Sequence, residues 1–313
     1  MNDKKWLERP IHPALPAISN EVLLFGLIIL FTVLSRFYDL GTRVMSHDES
    51  LHTYFSWLLY KGDGYQHTPM MHGPFQFHML ALSYFIFGVS DFTARIPAVV
   101  FSIATIWTMW YWRSILGKTG ALIAGALLLI SPYMLFYGRY VRNESFSGFA
   151  GLLMFWAILR YFEKGEKRYI YWLTVSLLVN FTSKETAFIY TAQALLFLAF
   201  YFIWRITSKA WLEDRAHRGF VVSVAIGLLL IGATLGAGAF VSETALPIAP
   251  ETMAPANPFD MQSAESQTSA TSTLTLVLAG SALLAFAAAL YYLIRGYGWS
   301  RIRSERSFDL LIM

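Results

Sequence analysis

Long apolar runs, separated by short polar segments, are the dominant pattern of this 313-residue chain. A run of ~17–25 apolar residues is long enough to cross a lipid bilayer as a helix. The pattern predicts eight such helices, at residues 21–38, 93–112, 119–137, 145–162, 169–182, 186–204, 219–241 and 272–294. We therefore predict an all-α integral membrane protein, a polytopic helical bundle.

The segment between the first two predicted spans, 41–91, has helical patterns of its own. Ser46 and Glu49 have the S-x-x-E spacing of a helix capping box. Apolar residues then recur at helical spacing, which predicts an amphipathic helix over about 47–60. A second apolar run, 74–87, is short for a span and suits a helix lying at the membrane surface. We expect this loop to carry two interfacial helices.

The amino-acid composition excludes an ordinary soluble domain. Hydrophobic residues make up 56% of the chain and charged residues 14%, whereas a soluble domain has about 25% charged residues. The chain has no cysteine. Disulfide bonds and thiolate metal sites are therefore ruled out.

The positions of the basic residues predict the orientation, because Lys and Arg concentrate in cytoplasmic loops. With the N-terminus inside, seventeen Lys and Arg residues fall in the inner segments 1–20, 113–118, 160–168, 205–218 and 295–306, and six fall outside: Arg43, Lys61, Arg95, Arg139, Arg142 and Lys184. We predict a multi-pass protein of the cell membrane with a cytoplasmic N-terminus and an extracellular 41–91 loop. The net charge of +4 comes from these topology-setting residues, so no nucleic-acid partner is expected.

The pattern divides the chain into four parts. Residues 1–20 are a polar cytoplasmic tail, and 21–241 form a transmembrane core. Residues 242–271 are rich in Ser, Thr, Ala and Pro and contain no Lys or Arg, which predicts a flexible outer loop. Residues 272–313 contain a span, a basic inner loop and, at 307–313, what resembles the start of a truncated ninth span.

Charged residues on the predicted outer face provide the candidate chemistry. Asp48 and Glu49 are the candidate catalytic residues, because a carboxylate can take a proton from an acceptor hydroxyl. Arg and Lys side chains suit a phosphate leaving group. The candidate substrate- and phosphate-binding residues are His47, Arg139, Arg142, Glu144, Lys184 and Glu185.

Each candidate also has an ordinary structural explanation. Glu49 completes the capping box, and Asp48 in the first helical turn is favoured by the helix dipole alone. Arg139 and Arg142 fit as interfacial anchors. The pair at 184–185 fits as an exposed ion pair of little energetic value.

Five of the seven histidines lie in the 41–91 loop, at positions 47, 52, 67, 72 and 78. Imidazole and carboxylate groups together can bind zinc or manganese. Their spacing matches no metal motif such as H-E-x-x-H. We expect no metal and no other cofactor, with a divalent ion as the weaker alternative.

A series of short motifs resembles a known family. After Asp48-Glu49 come His72-Gly73-Pro74-Phe75, the run Leu80 to Ser90, Ala94-Arg95-Ile96-Pro97-Ala98, Ser131-Pro132 and Tyr137-Gly138-Arg139-Tyr140-Val141-Arg142-Asn143-Glu144. Their order and spacing over about residues 20–200 resemble protein O-mannosyltransferases and aminoarabinose transferases, membrane glycosyltransferases of the GT-C fold. The flippase-associated mannosyltransferase-like branch is the most similar.

The resemblance implies a polyprenyl-phosphate sugar donor and an active site in an outer cavity. It implies that Asp48, with Glu49 beside it, occupies the position of the family's catalytic acidic residue in the first outer loop. It also places Glu144 at the acidic position after the third span, and it matches the basic residues near the phosphate to Arg139, Arg142 and Lys184.

These observations favour a membrane glycosyltransferase that moves a sugar from a polyprenyl phosphate to a hydroxyl acceptor on the outer face. One alternative is a non-catalytic protein that assists translocation of a lipid-linked oligosaccharide. Another is an ion-coupled transporter, although the charges stand at span ends and not mid-span. Expected partners are the bilayer, the lipid-linked donor and subunits of a glycosylation or flippase system.

The basic-residue distribution generates a topology prediction. Reporter fusions after Lys61 and after residue 260 should give an outside signal, and fusions after Lys167 and Lys209 an inside signal. Paired alkaline phosphatase and fluorescent-protein fusions measure this directly. An inside signal after Lys61 would remove the 41–91 loop from the outer face.

Overall fold

The computed structural model describes residues 6–65, 72–244 and 258–313. Within these ranges the chain is helical, and its only β-type pairing is an isolated bridge between Pro10 and Ser19. The predicted all-α fold is confirmed. His67 lies outside the described residues.

Twelve α-helices follow a short 3-10 turn in the described parts of the chain. Their bounds are α1 Asn20–Phe37, α2 His47–Lys61, α3 Pro74–Phe87, α4 Asp91–Ile130, α5 Pro132–Tyr137, α6 Glu144–Lys164, α7 Lys167–Ser183, α8 Thr186–Thr207, α9 Asp214–Thr244, α10 Pro258–Gly296, α11 Trp299–Arg303 and α12 Arg306–Leu311. The two helices predicted in the first outer loop are α2 and α3.

Six helices in the described ranges are long and apolar enough to cross a membrane, namely α1, α4, α6, α8, α9 as far as Ala237, and α10 from Thr273. The sequence predicted eight spans. The difference has two causes. Helix α4 contains two of the predicted spans, and α7, with 17 residues, is shorter than the six long helices. The predicted multi-pass class is confirmed, and the count of eight stays a prediction.

Helix α4 contains a sharp reversal at Gly117. This glycine has φ 74° and ψ 166°, a left-handed conformation that glycine adopts without a steric penalty. The ring of Phe25 packs against Trp107 and Trp110 before the reversal, with centroid distances of 6.4 and 5.2 Å, and against Gly125 after it. Because both halves contact the same side chain, α4 is a helical hairpin, as the two predicted spans require.

A buried arginine joins the C-terminal end of α1 to the end of this hairpin. Pro132 follows α4 and has no N–H, so the carbonyl of Leu128 loses its usual helical donor. The fully buried Arg36 donates from Nη2 to the Leu128 carbonyl and from Nη1 to the Leu129 carbonyl, both at 3.2 Å. Free carbonyls are costly at membrane depth, where water cannot satisfy them.

Residues 1–197 form one unit, in which α2 packs on α3 and α3 packs on α4 and α7. The start of α3 is fixed against the end of α7. The Gly73 N–H donates to the Ser183 carbonyl at 3.2 Å, and a Cβ on Gly73 would lie 2.0 Å from the Thr182 carbonyl oxygen. Only glycine allows this approach of two backbones.

Residues 198–313 form a second unit, built mainly from α9 and α10. Glu305 is buried there and accepts hydrogen bonds from Lys209 and, at 2.8 Å, from the Tyr297 hydroxyl. This carboxylate anchors the start of α12, a six-residue helix at the place of the predicted ninth span. That span stays a prediction.

The stretch 242–271 was predicted to be a flexible outer loop. The structure extends α9 to Thr244 and begins α10 at Pro258. Residues 245–257 lie outside the described ranges, so the loop prediction is now limited to them.

Candidate active site

Glu49 is the most enclosed of the predicted site residues. Its side chain has no exposed surface, and its two oxygens accept from Arg95 Nε at 3.0 Å and Arg43 Nη2 at 2.8 Å. They also accept from the backbone N–H groups of Val141 at 3.2 Å and Ser46 at 3.3 Å, the latter within the predicted capping box. A carboxylate held by so many donors is positioned firmly and has little hydrogen-bonding capacity left for a substrate.

Arg95 is the partner that the sequence did not reveal, since it was counted among the outer basic residues and within a short motif but was given no role at the site. It lies in the first turns of α4 and is 1% exposed. Besides Glu49, it donates to the carbonyls of Leu40 at 2.7 Å and Arg43 at 2.9 Å. The available signal was an arginine inside an apolar run, since a charge at membrane depth is almost always paired.

Asp48 lies next to Glu49 on α2 but points to a different environment. Its side chain is 45% exposed, and its Oδ2 lies 2.8 Å from Arg142 Nη1. Successive residues of an α-helix are about 100° apart around the axis. The buried contacts of Glu49 therefore also fix the direction in which Asp48 projects.

Asp48 is the first of four charged side chains in successive contact, which we call the charge chain. Arg142 Nε lies 3.6 Å from Glu144 Oε1, and Lys184 Nζ lies 2.7 Å from the same oxygen. These residues come from the start of α2, the start of α6 and the junction between α7 and α8. The structure thus brings together four of the sequence-predicted site residues, which are up to 136 positions apart in the numbering.

Glu144 and Lys184 also line a cavity of the first unit with a volume of about 700 Å³. Ligand pockets are typically ~300–1,000 Å³. Along α6 the lining runs from Glu144 through Gly148 to Leu152, a distance of roughly two helical turns. The cavity therefore passes from a charged end into the apolar interior of the bundle.

The side chains that line the cavity divide by polarity. Hydroxyl groups accompany the charged pair, and apolar side chains form the remainder. The hydroxyl-bearing residues are Thr105, Tyr133, Tyr137, Ser145, Ser147, Thr186 and Tyr190, and the apolar ones are Met109, Ala124, Leu127, Leu128, Met134 and Leu152. This lining suits an amphipathic ligand with a polar, hydroxyl-rich head.

A second polar group stands beside the charge chain. His72 Nδ1 lies 2.7 Å from Glu185 Oε2, and the His72 ring stacks on His52 with centroids 6.2 Å apart. Partial burial raises the pKa of Glu185, but hydrogen bonds from its own backbone N–H and from His72 outweigh this and leave the pKa below its usual range.

His52 is a buried imidazole that packs against Phe77, with ring centroids 5.6 Å apart. Burial, together with the nearby charges of His72 and Arg142, lowers the pKa of His52 from 6.5 to about 4. Asp48 and Glu144 oppose this shift. His52 is therefore neutral at physiological pH.

Besides Glu185, which pairs with His72, two predicted binding residues do not join the charge chain. His47 is exposed, and among the described residues no hydrogen bond or ion pair links its ring to the chain. Arg139 instead donates to the carbonyl of Tyr38 and lines a separate pocket. The roles proposed for both from the sequence stay predictions.

The described residues contain no group of three metal-binding side chains arranged around one point. His47 and His78 lie apart from the His52–His72 pair, and His67 is outside the described ranges. The expectation that no metal takes part stays a prediction.

The fold is that of a multi-pass helical membrane protein with a charged cavity at its helix ends. The sequence model of the family described as dolichyl-phosphate-mannose-protein mannosyltransferase matches residues 71–235, just over half of the chain. The chain belongs to this family and is a membrane glycosyltransferase of mannosyltransferase-like type. No curated protein and no solved structure matches it.

The matched range has a consequence for the site. It includes Arg142, Glu144 and Lys184, and it begins after the end of α2. Asp48 and Glu49 therefore lie outside it, and their roles rest on the geometry and on the resemblance described above.

The buried pair generates a stability prediction. Arg95→Gln should lower the free energy of unfolding by about 3–5 kcal/mol, because it leaves the Glu49 carboxylate buried without its main partner. The exposed pair of Arg168 and Glu166 provides the control, and Arg168→Gln should cost at most about 1 kcal/mol. Thermal unfolding of the purified variants in detergent measures both. Equal losses in the two variants would contradict the assigned importance of Arg95.

The buried imidazole generates a pH prediction. Above pH 6.5 His52 is neutral in both folded and unfolded chains; below it the unfolded chain binds the proton first, and the folded chain follows only near pH 4. Stability should fall by about 3 kcal/mol across this window. His52→Gln should remove that decrease, whereas the exposed His78→Gln should keep it. An unchanged pH profile in His52→Gln would show that another group is responsible.

Proposed function

We propose that this chain transfers a sugar from a polyprenyl-phosphate donor to a hydroxyl acceptor on the extracellular face, with inversion at the anomeric carbon. The observation that carries the proposal is the cavity that runs from Glu144 and Lys184 into the apolar bundle. A polyprenyl-phosphate sugar matches this cavity, because its sugar and phosphate are polar like the charged end and its tail is apolar like the interior. The basic-residue distribution supports the outer location.

In the proposed reaction the acceptor oxygen attacks the anomeric carbon of the donor. The bond between that carbon and the phosphate oxygen breaks, and its electron pair leaves with the polyprenyl phosphate. Asp48 takes the proton of the acceptor hydroxyl, which requires hydrogen-bond contact between the two groups. Its partial exposure and its position at the end of the charge chain support this role.

Arg142 and Lys184 stabilise the leaving group in this proposal. A phosphodiester carries one negative charge, and the phosphate monoester product carries close to two at neutral pH. Cations fixed near the scissile bond therefore stabilise the transition state more than the ground state. Both side chains are paired with carboxylates, Arg142 with Asp48 and Lys184 with Glu144. A bound phosphate would compete for Arg142 and release Asp48 to act as the base.

Glu49 and Arg95 act as positioning residues in this proposal. Glu49 has no exposed surface and accepts five hydrogen bonds. It does not line the cavity, and it holds the start of α2 against α4. We propose that its contribution to transfer is the orientation of Asp48.

The finer identity of the enzyme is also a proposal. The motif order described above supports the flippase-associated mannosyltransferase-like branch and a hexose, such as mannose, as the transferred sugar. Subunits of a glycosylation or flippase system are the proposed partners.

Substitution of Asp48 tests the proposal. Asp48→Asn keeps the shape of the side chain but removes the base, so sugar transfer should fall by about 10²–10⁴-fold. Asp63, an exposed carboxylate of the same loop, is the matched control, and Asp63→Asn should retain full transfer. The assay is transfer of radiolabelled sugar from a polyprenyl phosphate in proteoliposomes, with unfolding temperature measured in parallel.

The outcome separates the two main hypotheses. Asp48→Asn with normal stability and transfer within about threefold of the parent would show that Asp48 is not the base. Wild-type protein that binds the donor, moves it across the bilayer and transfers no sugar would instead favour assistance in translocation of a lipid-linked oligosaccharide.

A further inference from the structure

A second amphipathic surface lies on the outside of the first unit, where the outer ends of α1 and α4 meet α5. A groove of about 470 Å³ is lined there by Phe31, Leu34, Ser35, Tyr38, Leu129, Ile130 and Leu135. Phe31, Leu34 and Ile130 are more than half exposed. Because these residues belong to helices that cross the membrane, the groove faces the lipid chains.

The groove continues into a polar pocket at the outer end of α1. This pocket has a volume of about 210 Å³ and is lined by Asp39, Leu40, Thr42, Arg43, Leu135, Phe136 and Arg139. Leu135 lines both spaces. No residue that lines either space also lines the cavity of Glu144 and Lys184. The groove and pocket therefore form a separate site, and we name them together the α1–α5 site.

The α1–α5 site has a surplus of positive charge. Arg43 and Arg139 line it, and Arg95 donates to the carbonyls of Leu40 and Arg43 in its wall. Arg36 lies just beneath, close enough to Arg139 for their like charges to repel. Against these four guanidinium groups stand two carboxylates, Asp39 in the wall and Glu49 behind it.

Of the four arginines at this site, Arg139 is the one whose hydrogen bonds leave it available for a ligand. Arg43 and Arg95 are committed to Glu49. Arg36 is fully buried, and its donors are taken by backbone carbonyls and serine hydroxyls. Arg139 is only partly buried, donates to the Tyr38 carbonyl and keeps its Nε without a partner in the described structure. Its guanidinium can therefore donate a hydrogen bond to an anionic group.

We propose that the α1–α5 site binds a membrane phospholipid with a monoanionic headgroup. One acyl chain lies along Phe31, Leu34 and Ile130, and the phosphate is bound by Arg139. The apolar groove leads into the cationic pocket, just as the acyl chain of such a lipid leads to its phosphate. Arginine suits this contact because its planar donors match phosphate oxygens. The proposal is independent of sugar transfer and assigns Arg139 to a lipid other than the donor.

Lipid binding to the full chain tests the proposal. Native mass spectrometry of the detergent-purified protein would compare phosphatidylglycerol, phosphatidylcholine with the same acyl chains, and glycerol 3-phosphate. We expect phosphatidylglycerol to bind about tenfold more tightly than phosphatidylcholine, because both carry the phosphate but the choline ammonium is repelled by the surplus of guanidinium groups. Glycerol 3-phosphate, which has no acyl chains, should not compete.

Two variants locate the binding within the molecule. Arg139→Gln should reduce the affinity for phosphatidylglycerol to that for phosphatidylcholine, and its control is Lys61→Gln, which changes an exposed basic residue at the end of α2. Leu34→Trp should fill the groove and weaken both lipids, and its control is Ile123→Trp, at another exposed position of the membrane-facing surface. Both controls should bind like the parent. Leu34→Trp keeps the test decisive if Arg139→Gln does not fold.

Several results would overturn the proposal. Equal binding of the two lipids by the parent would exclude a headgroup preference. Effective competition by glycerol 3-phosphate would indicate a site for soluble phosphates. Loss of phosphatidylglycerol binding in Lys184→Gln but not in Arg139→Gln would place the lipid in the donor cavity. Asp48→Asn should bind phosphatidylglycerol normally, so failure of the catalytic proposal and failure of this one are distinguishable.

Discussion

The buried pair of Glu49 and Arg95 is the interaction on which the arrangement of α2, α4 and the start of α6 depends. It joins the start of α2 to the start of α4, and the Val141 N–H adds the segment that leads into α6. Removing charges from water is costly, and here the cost is offset by a nearly complete set of hydrogen bonds. Asp48 and Arg142 then meet because their backbone neighbours are already fixed on this pair.

The sequence predicted most of the fold because membrane helices follow from local information. Apolar run length identifies α1, α6, α8 and the two halves of α4, and the S-x-x-E pattern correctly predicts the capping box at α2. The weak point was the length of α7. A helix of 17 residues that buries the polar side chains of Ser176, Asn180 and Ser183 is ambiguous by hydropathy alone.

The candidate site was predictable only in part. Charge type and predicted sidedness selected Asp48, Arg142, Glu144 and Lys184, which the structure brings together. The same criteria could not separate Asp48 from Glu49, since adjacent residues differ in environment only through tertiary packing. They also missed Arg95, because its significance comes from a partner 46 positions away. Long-range pairing of this kind leaves no trace in local sequence patterns.

The energetic cost of burying Arg36 depends on Pro132, a residue of another helix that has no N–H. A proline at 132 deprives the Leu128 carbonyl of its helical donor, and Arg36 supplies the replacement from another helix. With an ordinary residue at 132, that carbonyl would have a local donor, and Arg36 would be left as a poorly compensated charge in the bilayer. The two positions are thus expected to change together among related sequences, although they belong to different helices and do different things. The charge of Arg36 inside the membrane thus serves to provide hydrogen-bond donors to backbone carbonyls. This explains its presence without a role in transport or catalysis.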